Sequence, residues 1–92
     1  MSELAVKKKQ ARAKRKAIER FRDVGYDITL LNDSVYSFIA SRRRESRYVR
    51  VVVDRITPDD IKLVQGRELP DGCAREIFCQ KETRFEIREV RE

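Results

Sequence analysis

The chain has 92 residues, 41% of them charged and 40% hydrophobic, and a net charge of +6. That length allows one domain at most, with a modest core, because a chain this short buries only about two-thirds of its unfolded surface. With no His, triads, Cys-His dyads and imidazole switches are excluded, and no run approaches the roughly 18 apolar residues of a membrane helix.

Residues 1–24 hold nine Lys or Arg against three acids, so they carry the whole net charge, and the remaining 68 residues are neutral. This stretch lacks Gly, Pro and Asn and is rich in Ala, Lys, Arg and Glu, which predicts a helix. Ala11, Lys14, Ile18, Phe21 and Val24 follow a helical apolar rhythm, with Lys14 lending its aliphatic stem. The rhythm starts only near Ala11, so residues 1–10 are expected as a basic, frayed extension and 11–92 as the single domain. Gly25 is the expected left-handed cap.

After Gly25 the period changes to two. Tyr26–Leu31 and Val35–Ala40 read as strands around the turn Asn32-Asp33-Ser34. Ser41–Ser46 reads as a polar hairpin connection. Arg47–Val53 is the third strand, and its three consecutive Val imply burial on both faces at the sheet centre. Thr57-Pro58-Asp59-Asp60 opens a short helix, with Thr57 as N-cap, Pro58 in the first turn and two acids against the dipole; Gly66 ends it. Arg75–Gln80 and Arg84–Val90 follow as two strands of a hairpin. Cys79 reads as a small buried residue and Cys73 as part of a turn. No export signal is visible at the N-terminus, so both thiols are expected reduced in a cytoplasmic setting.

The order α-β-β-β-α-β-β, with Glu19 and the stretch Phe21 to Ile28 at its start, Ser37-Phe38-Ile39-Ala40 on the second strand and Val52-Val53-Asp54 ending the third, resembles the PD-(D/E)XK nuclease superfamily. Within it the likeness is to small Holliday-junction-resolvase-like proteins. The resemblance implies an α/β (α+β) restriction-endonuclease-like domain, with a mixed central sheet flanked by helices. It also implies where catalysis would sit: the family uses carboxylates to hold a divalent ion and a Lys to meet charge on the phosphate. At the matching positions this chain keeps Glu19 but has Ser37, Val52 and Asp54, so a degenerate site with no cofactor is implied. The alternative is a shifted register in which Glu19, Asp33 and Asp54 gather around Mg2+ and the protein is an endonuclease.

A positive end on a neutral body points to a polyanionic partner. The expected function is therefore non-catalytic binding of nucleic acid by phosphate contacts from Lys7, Lys8, Lys9, Arg12, Lys14, Arg15 and Lys16, with Arg42, Arg43 and Arg44 as a second basic loop. Tyr36 and Tyr48 are expected to pack on the sheet, with stacking on a base as their alternative role. No membrane partner is implied. A protein–protein module, as a homodimer, is the remaining class. The three Gly cannot supply a phosphate-cradling loop, which argues against a nucleotide-using enzyme.

Overall fold

Two alanines decide how the first helix meets the sheet. In the computed structural model, which describes residues 3–91, α1 spans Glu3–Asp23 and buries Ala13, Ala17 and Phe21. These positions are four apart and so share one face. The small alanines let the helix lie close to the sheet, and Phe21 anchors its end edge-on against Phe38, 5.6 Å between ring centres. The apolar stripe is thus rotated from the one expected: Ile18 packs at its border, Ala11 is exposed and Val24 is 47% exposed. Val24 lies beyond the helix, in the turn that closes it. The described helix also begins at Glu3, so residues 3–10 extend it by more than two turns.

The helix stops as expected. Gly25 adopts φ +93°, its amide donates to Arg22 O at 3.0 Å, and the Tyr26 amide donates to Phe21 O at 3.0 Å. This pair of bonds is a Schellman motif, and its usual apolar contact is present as the edge-to-face pair Phe21–Tyr26 at 5.4 Å.

Five strands follow: β1 (Asp27–Leu30), β2 (Phe38–Arg42), β3 (Glu45–Val53), β4 (Cys73–Gln80) and β5 (Phe85–Val90), with α2 (Pro58–Gly66) between β3 and β4. They lie side by side in chain order. Only β3 and β4 run parallel, joined through α2; the other neighbours are antiparallel. The molecule is a single α+β domain of order α-β-β-β-α-β-β on a mixed five-stranded sheet.

Alternation along the strands sorts the core into two layers. Phe38, Ala40, Val49, Val51 and Phe78 face α1, while Val52, Ile77, Cys79 and Val90 join Val64 of α2, with Val35 and Tyr36, on the other side. β3 is the central strand, as its valines imply, with Val51 and Val52 buried on opposite faces.

Several boundaries differ from the sequence reading. The second strand starts at Phe38 and not Val35, because Asp33 accepts the Tyr36 amide at 3.2 Å and bends the preceding segment. Val35 and Tyr36 then tuck beneath α2, where the Tyr36 hydroxyl donates to Val64 O at 3.1 Å. The β2–β3 connection is a two-residue turn, Arg43-Arg44, since Arg42 already pairs with Glu45 and Arg43 takes φ 55°. Cys73 opens β4 opposite Ser46 instead of lying in the turn.

α2 begins with the expected cap, strengthened into a capping box. The Asp60 amide donates to Thr57 Oγ1 at 3.2 Å, and the Thr57 amide donates to Asp60 Oδ2 at 2.9 Å. Arg50 Nε reaches Asp60 Oδ1 at 3.0 Å, and Arg50 Nη1 donates to Val35 O at 2.9 Å, so one side chain ties the helix start to the sheet and the bent segment. Burial pushes the Asp60 carboxyl up, but Thr57 and Arg50 outweigh it and hold it below the ordinary aspartate value.

Candidate nucleic-acid interface

The burial pattern of α1 leaves its cations outward. Lys7, Lys8, Lys9, Arg12, Arg15 and Lys16 are exposed, and Lys14 is half-buried. Among the described residues, no carboxylate stands within ion-pair distance of any of the seven. Their charge is therefore uncompensated at close range.

Three of them face a seam. Lys9, Arg12 and Lys16 line a cavity of about 250 Å³ together with Val53, Asp54, Gln80, Lys81 and Glu82. A neighbouring cavity shares Lys9, Asp54, Lys81 and Glu82 and adds Thr83 and Arg84. The seam lies at the carboxyl ends of the parallel pair β3–β4, a position where open α/β sheets commonly receive ligands. Asp54 leaves β3 with φ 71°, unusual for a residue with a side chain, and its amide donates to Gln80 O at 2.9 Å. That bond holds the ends of β3 and β4 together at the floor of the seam. Lys81 meets Glu86 at 3.4 Å. Lys81 and Arg84 had no helical stripe to mark them; their only sequence signal is two cations in one four-residue turn.

The second basic cluster is used differently. Arg42 Nη1 donates to Val24 O at 2.8 Å, its guanidinium lies 4.6 Å from the centre of the Tyr26 ring, and Glu45 is 3.8 Å away. Arg42 thus clamps the end of α1 to the hairpin, and only Arg43 and Arg44 of the triplet project freely. Beside it, Arg47 bonds both Glu45 and Glu76 and lies over Tyr26. Glu76 is 1% exposed, and its second carboxylate oxygen has no hydrogen-bond partner among the described residues. Burial works against the Arg47 charge, but hydrogen bonds to Glu76 and Glu45 outweigh it and raise its pKa, so it stays a cation.

The positions matched to nuclease catalysis are partly gathered. Ser37, Val52 and Asp54, with Asp33, line a cavity of about 580 Å³ whose rim includes Arg50, Arg55 and Asp60. Ser37 Oγ accepts the Val51 amide at 3.3 Å, and the Val52 side chain is buried in the core. Glu19 is exposed on α1 and is not part of that lining. Asp33 is occupied by the Tyr36 amide and by Arg67 Nη2 at 2.7 Å. Burial works to raise its pKa, but the amide and the guanidinium outweigh it and hold the carboxyl below the ordinary aspartate value. Among the described residues, no three His, Cys, Asp or Glu stand together as a metal site, so Glu19, Asp33 and Asp54 do not converge.

The remaining candidates resolve into packing. Tyr36 is buried and meets Tyr48 edge-on at 5.4 Å. Cys73 and Cys79 are free thiols; burial raises the pKa of Cys79. No described helix is long and apolar enough to cross a membrane. Comparison with known proteins finds no matching family model, no matching curated protein and no matching solved structure.

Proposed function

We propose that this protein binds nucleic acid without cleaving it, gripping backbone phosphates with the exposed cations of α1 and with the seam beneath them. The observation that carries the reading is that, among the described residues, none of the seven cations between Lys7 and Lys16 forms an ion pair with a carboxylate. Cations already paired lose little by staying in place, whereas unpaired ones gain by displacing counterions from a phosphate chain. The exposed cations of α1 are suited to phosphate contacts, which position a protein on a backbone without reading its sequence.

The scaffold under this reading is a restriction-endonuclease-like domain that has lost its catalytic set. The element order agrees with that resemblance, and Ser37, Val52 and Asp54 fall around one cavity. Ser37 is a poor Mg2+ ligand, Val52 is none, and Asp54 reverses the sign of the needed cation. Duplex and single-stranded oligonucleotides are accordingly expected to survive incubation with Mg2+ or Mn2+. Cleavage that vanishes on Glu19→Ala or Asp54→Ala would establish the endonuclease instead.

Fluorescence anisotropy across a salt series tests the binding itself. If about four to six phosphates are neutralised, log affinity should fall against log salt with a slope of about −4 to −5 on duplex DNA. Replacing Lys9, Arg12 and Lys16 by Gln should weaken binding on every sequence and shrink the slope by about 3. Binding indifferent to salt, or to these substitutions, would refute the phosphate reading.

A further inference from the structure

Among the described residues β5 is the last strand of the sheet, and one side of it is unpaired. The amide of Lys81 donates to Arg84 O at 2.8 Å, and the β4–β5 register continues from that pair, with Cys79 opposite Glu86 and Ile77 opposite Arg88. Hydrogen-bonded pairs alternate along an antiparallel ladder. The backbone groups of Glu86 and Arg88 therefore turn toward β4, and those of Phe85, Ile87 and Glu89 turn toward the open edge. Phe85 and Ile87 are also 40% and 41% exposed, unusual for two large apolar residues on the helix-covered face of a sheet.

We propose that β5 pairs antiparallel with β5 of a second copy of this chain, about a twofold axis that passes through Ile87 perpendicular to the sheet. Charge selects both the occupant and the register. With Ile87 on the axis, Glu86 stands opposite Arg88 of the second copy, twice, on one face. A shift of one residue in the axis position toward either end sets Glu86 against Glu86 or Arg88 against Arg88 at the centre, and like charges opposed are unfavourable. On the other face the two Ile87 side chains meet beside Phe85, which already stacks on Phe78 at 5.1 Å. The centre of the strand thus carries its own complement, in outward backbone groups, in Ile87 and in the Glu86–Arg88 pairs, while Phe85 of each copy stands opposite Glu89 of the other. Glu86 and Arg88 pair along the strand in the single chain, with Arg88 Nη2 to Glu86 Oε2 at 2.8 Å, and the dimer extends that pair into an alternating cluster of four.

The symmetry has a structural result. An axis perpendicular to the sheet preserves its faces, so the two sheets join into one of ten strands with both α1 helices on the same side. This dimer does not depend on nucleic-acid binding, although it would give any polyanion one face carrying two basic helices.

Sedimentation equilibrium of the full chain tests it. The expected mass is twice 10.9 kDa; a parent protein that stays monomeric up to about 0.1 mM overturns the proposal. Glu86→Arg alone and Arg88→Glu alone each place like charges opposite one another, and each should weaken self-association by about tenfold or more. Mixing the two single variants restores opposite charges at both positions and should restore a heterodimer. Circular dichroism confirms that each variant is folded. Dimers that persist in both single variants, or a mixture that fails to associate, would show that the copies meet elsewhere. If a variant does not fold, Ile87→Lys serves as the second disruption of the same edge, and a dimer surviving it overturns the proposal.

Discussion

The two cation-rich regions, the Lys- and Arg-rich α1 and the Arg-rich β2–β3 turn, put their charges to opposite use. Along α1, seven cations form no ion pair with any described carboxylate. At the β2–β3 turn and the strands it joins, Arg42 caps the Val24 carbonyl and Arg47 holds Glu45 and Glu76 over the Tyr26 ring. The first set costs the fold little and is available; in the second, Arg42 ties the end of α1 to the hairpin and Arg47 is held by carboxylates of the sheet, while Arg43 and Arg44 stay exposed. A count of charge along the chain does not separate them. What separates them is whether a cation has an acceptor fixed by the fold.

The sharpest way to break this contrast is to free the helix from its anchor. Phe21→Ala empties the aromatic contact at the end of α1 and should cost about 3 to 5 kcal/mol by urea denaturation. A variant as stable as the parent would mean that α1 is not held where described. Arg47→Met comes next. It strands the buried Glu76 carboxylate without a cation, a loss of about 3 to 4 kcal/mol, and the further change Glu76→Gln should recover part of it.

Acid sharpens the same point for the tied aspartate. Asp60 has its pKa lowered in the folded state, so its contribution is complete above its unfolded value of about 4. That contribution is lost as pH falls through the lower folded value. Stability should therefore drop from about pH 4 downward, and Asp60→Asn should flatten that limb while costing about 1 kcal/mol at neutral pH through the weakened cap. An unchanged acid limb in the variant would remove Asp60 from the account. The smallest effect is expected where the cations are free: Lys7→Gln, Lys8→Gln or Arg15→Gln should each alter stability by less than about 0.5 kcal/mol, whereas Arg42→Gln should cost about 1 to 2 kcal/mol.

Local chemistry was the legible part of this chain. Thr57, Pro58 and Asp60 announced α2 because a cap is written in four adjacent residues, and Gly25 announced the end of α1 for the same reason. Element order followed from the change of period after Gly25. The phase of α1 was not legible: Ala13 and Ala17 are weak hydrophobic signals beside Ile18 and Val24, yet closeness to the sheet selects the smaller side chains. The start of β2 was hidden by Asp33, whose bond to the Tyr36 amide overrides the strand propensity of Val35 and Tyr36. The site divided in the same way. The α1 cations were evident as a run, but Lys81 and Arg84 join them only through the fold. Nor could sequence alone reveal that Arg42 would be spent on a carbonyl eighteen residues away.

α1 is also held unevenly along its length. Its buried residues lie between Ala13 and Phe21, and its cap and arginine clamp sit at the same end. The turns before Ala13 have little apolar contact to lose, and local opening follows such contact. Hydrogen exchange should then run as a gradient, fastest near Glu3 and slowest around Ala17 to Phe21. The helix behaves as a beam fixed at one end, and the end free to bend toward a curved surface is the end that carries the charge.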